Sequence, residues 1–442
     1  MIDLRLWRIA LLPVPLVLLI AMFSLEETPR ALEPVLPPDA FDGEAAVTLA
    51  RDLAAAQSSP APGSDQDAAL ADVVEERFKT FETGELAEQR FTASSGGEDV
   101  ELRNVIMVLP GQSERQVALL APRDSAEGTG AASGIASTAA LLEIATGLAG
   151  STHEKTLVFV STDGSTLGAA GARRFARDYS EADLLDAAIV LSQPAAADPR
   201  PPLVVPWSSG AQSTGVQLVE TARAMVSEEV ARPPGDESPL RELFRLALPA
   251  ALGEQGPLIE SGIDTVRLSS DGELPLPASA DQADAVDAET LARFGRAALA
   301  VILALDTAPS PTEHGPDAYI SLAGSLMPGW ALSLLALSLL LPVAAVAGVG
   351  MARSASSPLL AARAVGWGAL RAVPFVLAAA LLYALATAGA LPSPDFPFDP
   401  AREELGLGGA ISIGVGVIAF ALVAFLLRPL LAPPAELANL AP

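Results

Sequence analysis

The opening of the chain is almost wholly apolar: residues 9–25, IALLPVPLVLLIAMFSL, carry no charge and follow Arg5 and Arg8. Three more apolar runs come late, near 327–350, 372–391 and 407–427. Each approaches the roughly 20 residues that a helix needs to cross a bilayer core. Between these blocks the texture changes. Short apolar, β-branched runs at 103–109, 116–121, 156–161, 187–192 and 263–268 predict strands. Helical patterns occupy 46–56, 66–82, 134–149, 168–179, 212–228, 238–248 and 288–305. Asp287 is placed to cap the last of these, whose Leu291, Phe294, Leu299 and Ile302 share a core face. Alternating strands and helices predict an α/β fold, a three-layer sandwich on a mostly parallel central sheet, with transmembrane α-helices attached.

The expected organisation is an N-terminal anchor over 1–25, a proline-rich acidic spacer over 26–45 and an α/β domain over 46–305. A linker over 306–326 and a three-helix membrane region over 327–442 follow. A cleaved signal peptide is the other reading of the first segment, but no small-x-small site precedes Glu26-Glu27. The loop after the second span holds Arg353, Arg363 and Arg371 with no acid, and the next loop holds Asp395, Asp399, Glu403 and Glu404 against one arginine. The positive-inside rule then gives four spans, both termini cytoplasmic and the large domain outside. Within the spans ionisable residues are nearly absent, which argues against a pump or ion-coupled transporter. Gly408, Gly409, Gly414 and Gly416 suit close helix packing.

Charge sharpens the division. Residues 26–317 hold 47 acids against 20 bases, and that one region carries the negative field. Such a surface repels nucleic acid and anionic lipid headgroups. The apolar spans and the layout make the lipid bilayer and a membrane protein the expected partners. The chain has no cysteine and two histidines, His153 and His314, which limits thiolate and imidazole chemistry. Lys79 and Lys155 are its only lysines, as high-GC coding or adaptation to salt would give. The acids Asp281, Asp284, Asp287 and Glu289 read as a solvated helix start, with weak calcium binding as the alternative. Gly128–Gly134 reads as small residues that let a helix pack closely, not as a dinucleotide loop. Trp207 reads equally as a ligand-contact aromatic or a core residue. In a sheet of this kind ligands sit at the carboxyl ends of the strands, which points to loops 121–134, 162–168, 192–210 and 269–282.

Those loops carry a recognisable series. VALLAPRDSAEGTGAASGIASTAALLEIA at 117–145 resembles the core of the di-zinc aminopeptidases, the clan of bacterial leucyl aminopeptidases and glutamate carboxypeptidase. The family pattern there is an apolar strand, His-x-Asp-Ser, then Gly-Ala-x-Asp-x-x-Ser-Gly and an apolar helix. STDGSTLGAAGARRFA at 161–176 resembles the family's Asp-Gly-Glu-Glu-x-Gly stretch, and GEQGPLIESGIDTVRLSS at 253–270 resembles its Asp-His-x-Pro-Phe-x-x-x-Gly-Ile-Pro stretch. The resemblance covers roughly 46–305, in order.

It implies the zinc-exopeptidase fold, and position by position it implies the loss of the metal site. The first ligand histidine falls on Pro122 and the bridging aspartate on Gly130. The general-base glutamate and its neighbouring ligand fall on Ser165 and Thr166, and a further ligand aspartate on Ser192. Asp124 and Asp163 remain; in the family the first orients a ligand and the second is not one. The last ligand histidine has no counterpart in 271–281. No cofactor is expected. A serine hydrolase built on Ser133, Ser165 or Ser192 is disfavoured, because Gly164–Gly168 centres on threonine and no histidine sits where it could serve as base.

The expectation is therefore a membrane-anchored, catalytically silent relative of the zinc aminopeptidases, serving as a binding or scaffolding module. The layout also resembles the peptidase-like subunit of the eukaryotic GPI-anchor transamidase. An active membrane-bound metallopeptidase or other hydrolase, and an accessory subunit of a transport or envelope-assembly complex, are the alternatives.

Overall fold

A computed structural model gives the fold. It describes residues 10–354, apart from 36, 58, 96–97, 126–127, 211, 233–238, 248, 310 and 323, together with 366, 370, 373–387 and 407–427. The chain divides into two units, one of residues 26–328 and one of 1–25 with 329–442.

The elements run in chain order as follows. Helix α1 (Pro13–Phe23) precedes β1 (Glu26–Glu27), α2 (Gly43–Ala56) and α3 (Asp65–Phe78). Then come β2 (Glu85–Ser95), β3 (Glu98–Leu109), β4 (Ser113–Pro122), α4 (Gly134–Leu148), β5 (Lys155–Thr162), α5 (Ala170–Asp178) and β6 (Leu185–Ser192). The series continues with β7 (Val204–Val205), α6 (Val216–Val230), α7 (Pro239–Ala247), α8 (Gln255–Glu260), β8 (Thr265–Ser269) and α9 (Ala288–Asp306). It ends with β9 (Tyr319–Leu322), β10 (Ser325–Pro328), α10 (Gly329–Ser354), α11 (Val373–Thr387) and α12 (Leu407–Leu426).

Seven strands form the main sheet in the order β2-β3-β5-β4-β6-β8-β7. The four central strands β5, β4, β6 and β8 run parallel, and the strands at both edges pair antiparallel. The central strands are buried on both faces, which is why their sequences read as mostly apolar runs without a polar alternation. Helices α2, α3, α4, α6 and α9 cover one face, and α5 and α8 cover the other. This is the expected three-layer α/β sandwich. Asp287 does cap α9, its Oδ1 accepting from Thr290 N at 2.7 Å, and Leu291, Phe294, Leu299 and Ile302 are all buried.

One strand is added and two expectations are corrected here. Strand β2 was not foreseen, because its exposed edge position leaves only a polar alternation, ELAEQRFTASS, for its sequence. The stretch 26–45, expected as a spacer, lies on the domain instead. Its Glu26 and Glu27 pair with β10, the Leu32 N–H donates to Thr221 Oγ1 at 3.0 Å, and Phe41 is buried. Phe41 fits only because position 295 is glycine, since a Cβ there would overlap the ring. Part of 306–326, expected as a linker, forms β9 and the start of β10, which complete a three-stranded sheet with β1.

In the other unit α1 packs on α10 and α11 on α12, with the Phe375 and Phe420 rings 4.5 Å apart. Among the described residues no helix is long and apolar enough to cross a membrane. Parts of the expected spans, and most of both loops that set the expected orientation, lie outside those residues.

Candidate functional site

The carboxyl ends of β4, β5, β6 and β8 open onto a cleft of about 240 Å³. Each strand delivers a polar residue at or just past its end: Asp124 after β4, Ser165 and Thr166 after β5, Ser192 and Gln193 at β6. Arg267 rises from β8, and Glu254 and Asp281 come from the flanking loops. Four of the positions singled out from sequence, Asp124, Ser165, Thr166 and Ser192, are thus gathered here. The other two, Pro122 and Gly130, are not among the residues that line the cleft. Pro122 ends the β4 ladder opposite Thr162. Gly130 takes φ +74°, where a Cβ would press on Ser125 and Pro60.

The carboxylates are held by the protein's own donors. Asp124 Oδ1 accepts from the Ser165 N–H at 2.8 Å, and its Oδ2 accepts from the Thr166 N–H at 3.0 Å and the Thr166 hydroxyl at 2.9 Å. Burial pushes the Asp124 pKa up against these three donors. Asp281 accepts from the Ala132 and Ser133 N–H groups at 2.8 and 3.0 Å and from the Ser133 hydroxyl at 2.5 Å. It is buried, not part of a solvated helix start, and it satisfies the entry to α4 from outside the helix. Burial raises its pKa as well.

Glu254 is 2% exposed. Its Oε1 accepts from the Thr162 hydroxyl at 2.7 Å, while its Oε2 has no hydrogen-bond partner. Burial pushes its pKa up to about 8. Among the described residues the one cation lining the cleft is Arg267, whose Nη2 donates to Ser192 Oγ at 3.1 Å and whose Nη1 donates to the Glu273 carbonyl at 3.2 Å. Gly253 makes this possible, because a Cβ there would stand 2.7 Å from Arg267 Cδ and Nη1.

Behind the cleft Arg123 is fully buried. Its Nε and Nη2 donate to the two oxygens of Asp67 at 3.0 and 2.9 Å, and its Nη1 donates to the Ser161 carbonyl at 3.1 Å. Asp163 Oδ2 lies 3.3 Å from the same guanidinium and accepts from the Arg103 N–H at 3.0 Å. Burial, reinforced by the neighbouring Asp67 charge, raises the Asp163 pKa. This Asp67–Arg123–Asp163 cluster ties α3 to β3, β4 and the end of β5.

Sequence reasoning missed Glu254, Arg267, Gln193 and the role of Asp281. One signal was available: in the stretch compared with Asp-His-x-Pro-Phe, the pattern's Asp-His falls on Glu254-Gln255. Trp207 is buried and donates through Nε1 to Glu273 at 2.8 Å; it lines a small neighbouring cavity, not the cleft. His153 and His314 lie at the opposite end of the sheet, next to the starts of β5 and β8. There Asp306 and Asp264 respectively hold their imidazoles and raise their pKa values.

Residues 104–302 match the model for Peptidase family M28. This region is an M28 peptidase-family domain. No curated protein matches the chain. Among solved structures, the leucine aminopeptidase precursor of Bacteroides thetaiotaomicron is 14% identical with TM-score 0.46, over 63% of this chain and 99% of that one. The Zn-dependent exopeptidase of Parabacteroides distasonis is 17% identical with TM-score 0.45, over 59% and 98%. The glutaminyl cyclase of Fimbriiglobus ruber is 14% identical with TM-score 0.44, over 61% and 98%.

The di-zinc aminopeptidases that the sequence resembles hold two zinc ions, and such a pair needs histidine and carboxylate donors converging on the cleft. At the positions where the resemblance places metal ligands and the general base stand Pro122, Gly130, Ser165, Thr166 and Ser192. Of the cleft carboxylates, Asp124 and Asp281 accept from main-chain N–H groups and Glu254 keeps one oxygen unpartnered, and the cation lining the cleft among the described residues is an arginine. Among the described residues no three histidine, aspartate or glutamate side chains are placed to share a metal ion. The described residues of the cleft do not fit a zinc pair.

Proposed function

We propose that this protein is a catalytically silent, membrane-anchored M28-domain protein whose large domain is a binding or scaffolding module within a membrane complex. The donor set carries the reading: Pro122, Gly130, Ser165, Thr166 and Ser192 stand where the resemblance places metal ligands and base. Asp124 supports it too, since it accepts from the Ser165 and Thr166 N–H groups and the Thr166 hydroxyl and so fixes the 165–166 loop, with no ligand histidine beside it to orient. Membrane anchoring is supported by the four apolar runs and by the arginine asymmetry of their loops.

The test is turnover. The purified full chain, supplied with excess zinc, is assayed with aminoacyl-p-nitroanilide and aminoacyl-coumarin substrates of varied side chain. The expected result is release at the buffer rate. Saturable turnover that a chelator abolishes would establish an active metallopeptidase instead, and turnover indifferent to chelator would establish a different hydrolase.

A further inference from the structure

Strand β2 has no strand paired with its outer edge among the described residues. It runs for 11 residues at the end of the seven-stranded sheet, in unbroken register with β3 from Glu85↔Val108 to Ser95↔Glu98. It contains no proline and no bulge, two devices that keep a sheet edge from pairing; its charges are Glu85, Glu88 and Arg90. Such an edge offers a row of main-chain donors and acceptors to any extended chain of suitable side-chain chemistry.

The surroundings say what that chemistry is. Along the edge runs a groove of about 520 Å³ between Phe91, Thr92 and Ala93 of β2 and the arginines of α5. Arg173, Arg174 and Arg177 all line it. Arg174 and Arg177 both pair with the single carboxylate of Asp178, and Arg173 donates to the Gly168 carbonyl at 2.7 Å. Arg174 Nε has no hydrogen-bond partner, and its guanidinium stands 5.9 Å over the Phe91 ring. Three guanidinium groups over an apolar floor are a local excess of positive charge, in a region holding 47 acids against 20 bases.

The other face of the same edge has the opposite character. There Glu88 and Asp72 pair with Arg103, and Asp65, Asp72 and Glu101 line a second cavity with Arg90. A strand added to β2 would therefore meet arginines on its α5 side and mainly carboxylates on its α3 side. Side chains alternate between faces along a strand.

We infer that β2 and the α5 arginines form a docking site for an extended acidic segment of a partner protein, which adds to the sheet as an eighth strand. Its acidic side chains would recur at every second position and face Arg173, Arg174 and Arg177, with uncharged or basic residues between them. The inference stands whether or not the cleft holds metal, so zinc in the domain would overturn the proposed function and leave this site untouched.

The experiment uses the purified full chain and fluorescein-labelled peptides of about eight residues, near the length of one strand. One peptide alternates Glu and Thr, a second replaces Glu by Lys, and a third is the Glu peptide methylated at alternate backbone nitrogens. The Glu peptide is expected to bind saturably at tens of micromolar, as anisotropy reads it. The Lys and N-methylated peptides should bind at least about tenfold more weakly, as should the Glu peptide to the exposed-surface variant Arg173→Glu/Arg177→Glu. Hydrogen exchange should show alternate β2 amides gaining protection when the Glu peptide binds. No saturable binding below about 1 mM would overturn the inference. So would equal binding of all three peptides, undiminished binding to the variant, or exchange protection that spares β2. Preference for single-stranded RNA over the Glu peptide would overturn it as well.

Discussion

Arg123 shows how far a single residue can be read before the fold is known. Its sequence position, between Pro122 and Asp124, looks like part of a degraded metal site. In the structure it is the buried centre of an ion cluster whose main partner, Asp67, lies 56 residues away. Removing it leaves Asp67 and Asp163 buried without a countercharge, so Arg123→Met should lower stability by about 3–5 kcal/mol in urea unfolding. Glu254 gives the second test at this scale. Its folded pKa of about 8 lies above the ordinary 4.5, so the folded state holds a proton that the unfolded state has lost between those values. Stability should therefore be greatest below about pH 4.5 as far as this group is concerned, and fall as pH rises through about 8. Glu254→Gln should remove that part of the slope in melting temperature against pH. Ser165→Glu with Thr166→Glu restores the two acids of the family pattern, and an aminopeptidase assay of that variant should stay at background, because Pro122, Gly130 and Ser192 still supply no ligand. The positions of Ser165, Thr166 and Ser192 in the cleft were legible because motif spacing carries over. Glu254, Arg267 and Asp281 were not, since they reach the cleft from separate segments through burial that no local pattern records.

Among the elements, legibility followed burial. The strands β4, β5, β6 and β8 announce themselves because both faces are covered over most of their length and the central positions are mostly apolar. Strand β2 is hidden because its sequence answers to solvent as much as to the sheet, with Leu86 and Phe91 its only large apolar residues. Helix α9 was legible at both cap and core face, yet its tie to the 26–45 stretch was not. That tie rests on the absence of a side chain at Gly295, which admits Phe41. Gly295→Val should thus cost about 1–3 kcal/mol by overpacking and loosen the segment that precedes α2. Urea unfolding measures the first effect, and limited proteolysis between residues 26 and 42 measures the second.

For the whole molecule, charge is the dominant long-range property. With 47 acids against 20 bases in 26–317, like-charge repulsion destabilises the compact state. Raising ionic strength from about 0.01 M to about 0.15 M shortens the screening length from about 30 to about 8 Å, and the melting temperature should rise with it. A melting temperature flat or falling over that range would mean that the acids are locally compensated. The same scale holds the central claim, that an M28 domain persists here with a cleft organised by Asp124, Glu254, Asp281 and Arg267 in place of zinc. Metal analysis tests this most directly. The full chain is purified without chelator from zinc-replete cells, and its zinc-to-protein ratio is measured by inductively coupled plasma mass spectrometry. The account predicts a ratio indistinguishable from that of the buffer; one or two equivalents of zinc per chain, retained through dialysis, would contradict it.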